Sequence, residues 1–181
     1  MELIIPNQRY KDSFIKALKN GFYVGSQSVK SKREIQDIEE NFDSFLKGIT
    51  SIKVDPTPVL RDDGKYYVNV PQITYWLVDN GEFIGEFALR TELNDFLKRY
   101  TGGNVGYGIS PEYRRKGYAT KGLALLIEKA KQRGMTELLV SAAESNLGSW
   151  KAIEKNGGVL ESIIEPPWKN EKFKRYWIII K

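Results

Sequence analysis

The chain contains no cysteine and no histidine. Without cysteine there is no disulfide, no thiolate metal site and no thiol nucleophile. Without histidine, a Ser-His-Asp triad, a Cys-His pair and an HExxH zinc site are all excluded. General acids and bases must then come from Asp, Glu, Lys, Tyr, an amino terminus or water. Long apolar runs are missing too, since no stretch approaches the ~20 residues that cross a bilayer. Residues 1–9 hold only Leu3, Ile4 and Ile5 as an apolar run, with no basic segment before it, so no signal peptide is read. A cytoplasmic location is the expectation, and the lack of cysteine fits a reducing compartment.

What is present suits one globular domain: 181 residues, 41% of them hydrophobic and 28% charged. The 28 Lys and Arg outweigh 23 Asp and Glu, for a net charge of +5. An anionic cofactor accounts for that excess as readily as nucleic acid does. No nucleic-acid motif is recognisable, so an RNA- or ribosome-associated protein is the weaker reading.

Hydrophobic periodicity orders the chain. Residues 3–5 read as a short strand, and Pro6-Asn7 opens a helix ended by Gly21. A second helix is expected from Ser31 to Leu46, with Ile35, Ile38, Phe42, Phe45 and Leu46 as one buried stripe. Its opposite face (Glu34, Asp37, Glu39, Glu40, Asp43) reads as solvated acidic surface, with docking of a cationic substrate as the alternative. Residues 48–71 form a long connection marked by Pro56, Pro58 and Asp62-Asp63-Gly64, with strands at 59–60 and 66–70. Residues 73–78 and 82–90 make a hairpin about Asn80-Gly81. A helical turn near 93–99, a strand at 104–110, a helix at 118–133 and a nearly all-apolar strand at 137–143 follow. A helix at 147–155 and strands at 159–164 and 173–180 close the chain. The expected fold is a single mixed α/β domain, α+β-like, over residues 1–181. A central sheet of about six to seven strands carries helices on both faces, with a parallel crossover across 104–143.

The densest chemical signal is Gly106-Tyr107-Gly108-Ile109-Ser110-Pro111-Glu112-Tyr113-Arg114-Arg115-Lys116-Gly117-Tyr118-Ala119-Thr120. A strand feeds a loop, and the loop opens a long helix whose first turn offers free amides and a positive dipole end. Gly117 removes the side chain where a ligand would approach, Ala119 and Thr120 keep the turn open, and Arg114, Arg115 and Lys116 add charge. Such an assembly suits a pyrophosphate. The plain alternative is a solvated basic loop with Gly117 as a turn residue. No G-x-x-x-x-G-K-[ST] occurs, and Gly106-x-Gly108 lacks the third glycine of a dinucleotide fingerprint.

The R-x-x-G-x-A of Arg114–Ala119 resembles the R/Q-x-x-G-x-G/A motif of the GNAT superfamily of acetyl-CoA-dependent N-acetyltransferases. Asn146-x-x-Ser149, a short helix, then Lys155-Asn156-Gly157-Gly158 are similar to that superfamily's N-x-x-S/A…K-x-G-F ending. The resemblance covers residues 73–181, the expected acetyl-CoA-binding core. Within it, residues 75–78, 90–94 and 175–178 resemble a little-characterised bacterial branch of acetyltransferases. Residues 1–72, the expected acceptor side, match only in helix order.

The resemblance implies acetyl-CoA as co-substrate, no metal and no membrane. The acceptor would be a small-molecule or peptide amine, and a homodimer is compatible with it. It further implies that the strand ending at Ile109 splays from its neighbour to admit the pantetheine arm, with the Ile109 amide holding the thioester carbonyl. Backbone of Arg115, Lys116, Gly117, Tyr118, Ala119 and Thr120 would cradle the diphosphate, while Arg114 structures the loop. Asn146 and Ser149 would meet the pantetheine arm; the alternative for each is capping of the following helix.

Departures from the family pattern shape the catalytic expectation. Many members carry a Tyr seven residues after the Asn, where this chain has Ile153. Tyr107, Tyr113, Tyr118 or water remain as acids, and Tyr107 and Asn146 are taken as catalytic candidates. The strand ending at Ile109 lacks the carboxylate that many members place there. Glu86 is the best remaining base, with an edge-strand surface residue as the alternative; Glu92 and Glu144 are weaker. Relatives often show His where this chain has Thr91 and Asn104. Trp168, beside Pro166-Pro167 and Lys169, is a candidate for lining the acceptor cleft. The expected activity is acetyl transfer to a primary amine by direct attack. The alternative is a catalytically weak acyl-CoA-binding sensor.

Overall fold

The structure, a computed structural model, describes residues 1–24, 28–51, 59–60, 66–67, 70–100, 102–167 and 170–181. Strands β4 (Gln72–Asp79) and β5 (Glu82–Arg90) form the central hairpin. Asn80 and Gly81 take φ of 48° and 80°, the left-handed pair that a two-residue hairpin turn needs. Strand β1 (Glu2–Ile4) adds to β4 and β6 (Val105–Ile109) adds to β5, for the order β1-β4-β5-β6. A second sheet has the order β7-β9-β8, from β7 (Glu137–Ala143), β8 (Val159–Ile164) and β9 (Phe173–Ile179). A short hairpin of β2 (Val59–Leu60) and β3 (Tyr66–Tyr67) is separate.

Side chains alternate across β4, so one strand feeds two cores. Trp76 and Val78 pack with α1 (Lys11–Lys19), α2 (Lys32–Glu40) and α3 (Phe42–Thr50). Tyr75 and Leu77 pack with α5 (Tyr118–Lys131) and α6 (Leu147–Lys155) on the other face. The remaining helix, α4 (Asp95–Arg99), lies in the β5–β6 connection. Phe14 of α1 stacks on Trp76 with ring centres 4.6 Å apart. Gly122 of α5 sits where an added Cβ would run into the Phe87 ring, so its lack of side chain sets how closely α5 lies on β5. Among the described residues, no helix is long and apolar enough to cross a membrane.

Three expectations change. The helix expected over 31–46 is two helices, broken at Asn41 (φ −112°, ψ 38°). The stripe runs through the break because both halves bury it on the same aromatic cluster: Phe42 and Phe45 lie 6.2 and 5.3 Å from Phe14. The first helix opens where expected, with Asn7 as its cap, but its first turn over Gln8–Tyr10 is 3-10 and the α-helix runs from Lys11. The seven main strands divide between two sheets, so β7 is buried at a sheet end rather than in the middle of one sheet. The acidic face of α2 and α3 is occupied locally: Glu34 closes a capping box with Ser31, Glu39 bonds Lys19, and Asp43 accepts from Gln8. Pro56, Pro58, Asp62-Asp63-Gly64, Trp168 and Lys169 lie outside the described residues.

Candidate active site

Between the two sheets the chain makes a fork, and Asn104 is its clasp. The Asn104 amide donates to the Leu139 carbonyl (2.7 Å), and the Leu139 amide donates to Asn104 Oδ1 (2.8 Å). Its Nδ2 donates to the Arg90 carbonyl (3.0 Å), tying β5, β6 and β7 together at one point. Beyond this point, among the described residues, β6 pairs only with β5, and β7 only with β9. The Ser110 amide donates to Ile84 (2.9 Å). By the alternation of an antiparallel ladder, the amides of Tyr107 and Ile109 therefore turn away from β5, toward the fork. Across the fork, the Tyr107 hydroxyl donates to the Ser149 carbonyl (3.1 Å) and lies 2.7 Å from Ser149 Oγ.

The loop after β6 is held open by its own side chains. Arg114 Nε donates to the Ile109 carbonyl (3.0 Å), and the guanidinium lies 5.7 Å from the Tyr23 ring centre. Arg114 thus fastens the loop to the strand end. Arg115 (φ 61°) and Gly117 (φ 82°) are both left-handed, which turns the backbone sharply before α5. Helix α5 begins at Tyr118 without any side-chain cap on its first amides. Arg115, Lys116 and Gly117 are exposed; Tyr118, Ala119 and Thr120 are half-buried. The Tyr118 hydroxyl donates to Asp79 (3.0 Å), and that carboxylate holds the phenol above its ordinary range. Glu112 anchors the loop to α1, accepting from Asn20 (2.9 Å) with Lys16 at 3.4 Å. Asn156 Nδ2 donates to the Thr120 carbonyl (3.0 Å), tying the end of α6 to the start of α5.

Asn146 caps α6, its Oδ1 accepting from the Ser149 amide (3.1 Å). Ile153 is fully buried in the core. Of Tyr107, Tyr113 and Tyr118, only Tyr107 reaches α6: Tyr113 packs edge-on against Tyr118, and Tyr118 is bonded to Asp79. The Tyr107 ring stacks on Phe87 (5.2 Å), and burial pushes its phenol up to about 12.

Glu86 is not on an edge. Strand β5 is interior, and Glu86 stands between Trp76 of β4 and Gly108 of β6. Trp76 Nε1 donates to its carboxylate (3.3 Å). The residue keeps some surface, yet enough protein surrounds the carboxylate that burial pushes it up to about 7. The Trp76 hydrogen bond and the Lys30 charge pull in the opposite direction. Backbone of residues 23–24 crosses directly over Gly108, where a Cβ would come within 2.5 Å of the Tyr23 carbonyl. Glu92 and Glu144 are exposed. Sequence reasoning missed Lys30 and the clasp role of Asn104. Nothing in the spacing marks Lys30, whereas Asn104, a polar residue opening an apolar strand, was visible as an anomaly.

An unladdered strand fork thus lies in the same strand–loop–helix unit as an uncapped helix start. A model described as the acetyltransferase (GNAT) family matches residues 35–158. The chain belongs to that family, and it is an acetyltransferase. Solved structures agree in fold. Mycobacterium smegmatis RimJ in complex with CoA-disulfide is 13% identical with a TM-score of 0.65, covering 98% of this chain and 80% of that one. The aminoglycoside acetyltransferase AAC(6')-Ib in complex with coenzyme A is 16% identical with a TM-score of 0.61, covering 98% and 94%. A spermidine N-acetyltransferase SpeG chimera from Vibrio cholerae and hSSAT is 14% identical with a TM-score of 0.58, covering 99% and 96%. No curated protein matches the chain.

Proposed function

We propose that this enzyme transfers the acetyl group of acetyl-CoA to a primary amine by direct attack in a ternary complex. The observation that carries the reading is the uncapped start of α5 behind left-handed Arg115 and Gly117, next to strands that part after Asn104. Amides of residues 115–120 bind the diphosphate, with the helix dipole and the charges of Arg115 and Lys116 behind them. The pantetheine arm runs along the fork, past Asn146 and Ser149. The amine nitrogen attacks the thioester carbon while the Ile109 amide receives the charge developing on oxygen. Glu86 takes the proton that the ammonium gives up, through a water. The C–S bond then breaks, the Tyr107 hydroxyl, kept protonated by burial, donates a hydrogen bond to the departing thiolate, and the proton taken up by Glu86 passes to solvent. No acyl-enzyme forms, since neither a thiol nor a histidine-activated serine exists in the chain. The CoA held by solved structures of the same fold supports the choice of donor.

Calorimetry with CoA tests the site. Gly117→Glu places an anion at the diphosphate and abolishes binding, while circular dichroism stays that of the parent; Gly117→Ala controls for strain at that backbone angle. Unaltered CoA affinity in Gly117→Glu overturns the reading. Release of free thiol across a panel of amines then tests transfer, against a background free of protein thiols. Thiol release that ignores every amine marks an acyl-CoA sensor instead.

A further inference from the structure

A groove of about 560 Å³ lies between α1 and α2, lined by Leu18, Val29 and Ile35 and by Lys19, Lys30 and Lys32 among others. Its volume is that of a small-molecule site. Its charge is one-sided. Lys19 is bonded to Glu39 (2.9 Å), the groove's carboxylate, so these two cancel. Among the described residues neither Lys30 nor Lys32 makes a direct ion pair, although the charge of Lys30 also reaches Glu34 at the start of α2. Lys30 is half-buried in the groove wall, and its charge is felt at the Glu86 carboxylate. The segment after Gly21, itself a lining residue, continues directly over Gly108 of β6. The groove therefore adjoins the sheet face that carries Glu86.

We propose that this groove holds the acceptor, and that the acceptor is a small amine bearing a carboxylate. The carboxylate pairs with Lys30 and Lys32, the aliphatic part lies on Leu18, Val29 and Ile35, and the amino group points toward Glu86. A polycationic amine would meet two lysines that no direct ion pair occupies and be disfavoured there. The proposal rests on the acetyltransfer reading above and adds the substrate class.

The test compares KM for aliphatic α- and ω-amino acids with KM for spermidine and an aminoglycoside. Assays run at about pH 9, where Glu86, pushed up to about 7, is ionised with or without a neighbouring Lys. The amino acids are acetylated in preference to the polycations. Lys30→Gln raises KM for them about tenfold, with most of the loss in KM rather than kcat, and Lys30→Arg retains most of the affinity. Titration of amino acid into the enzyme without CoA, by calorimetry, loses affinity in the same order. Preference for spermidine or the aminoglycoside, no turnover of amino acids by enzyme that binds CoA, or equal KM in Lys30→Gln overturns the proposal. Failure of the parent enzyme to bind CoA overturns the donor reading instead, and the amino-acid titration still decides the groove.

Discussion

At the scale of the residue, Glu86 joins stability and activity through one titration. Its carboxyl is pushed from an ordinary 4.5 up to about 7 by burial. The folded state then holds that proton more tightly than the unfolded chain does. The stability from the neutral form is whole below the unfolded value and is lost as pH rises through the folded one. Glu86→Gln keeps an acceptor for Trp76 Nε1 and cannot ionise. Thermal melts at about pH 8 should therefore show the variant at least as stable as the parent, while its amine-dependent rate falls by ~100-fold. The parent's rate should climb with pH through about 7, since a base must be ionised to act. A variant rate within about twofold of the parent's removes Glu86 as base. Tyr107→Phe is predicted to lower kcat by ~10-fold or more with CoA affinity largely kept, read by initial rates and calorimetry.

At the scale of the element, the closed end of the fork is held by backbone and by the Asn104 side chain together. Asn104 is 6% exposed and satisfies groups on β5 and β7 at once. Asn104→Ala strands the Leu139 amide and the Arg90 carbonyl, and should destabilise the fold by ~1–3 kcal/mol in denaturant titration. Gly108→Ala should act differently. Its Cβ pushes on the backbone of residues 23–24, so acceptor KM should rise while CoA affinity holds, measured by kinetics and calorimetry. Much of this layer could be read from the sequence. The Asn80-Gly81 turn, the α5 stripe and the β8 and β9 limits follow from local periodicity and turn chemistry. The break at Asn41 could not be read, because an apolar stripe keeps its period when two helices share one core. Periodicity alone could not give the fork, because it depends on bonds that β6 and β7 do not make; the family resemblance is what implied it.

At the scale of the whole molecule, sheet order decides what a residue is for. Glu86 looks like surface in a strand taken alone; it becomes a burdened carboxylate only when β4 and β6 flank it. The acidic face of α2 and α3 reads as solvated surface in the sequence, and the fold adds local partners to it: Ser31 for Glu34 and Lys19 for Glu39. The loop proposed to hold the diphosphate could be singled out because its residues are contiguous in sequence, whereas the influence of Lys30 on Glu86 arises only through the fold. Net charge of +5 belongs to this scale as well. CoA affinity should weaken several-fold between about 0.05 and about 0.5 M salt, as screening removes the attraction of the exposed Arg115 and Lys116.

The clasp at Asn104 also bears on timing. Asn104 joins β6 and β7 at one end, and beyond it β6 pairs with β5 and β7 with β9, so the fork is already open without a ligand; on the proposed reading, the pantetheine arm meets a ready slot. Stopped-flow mixing with CoA should then give a single concentration-proportional phase, with no slow step for prying strands apart.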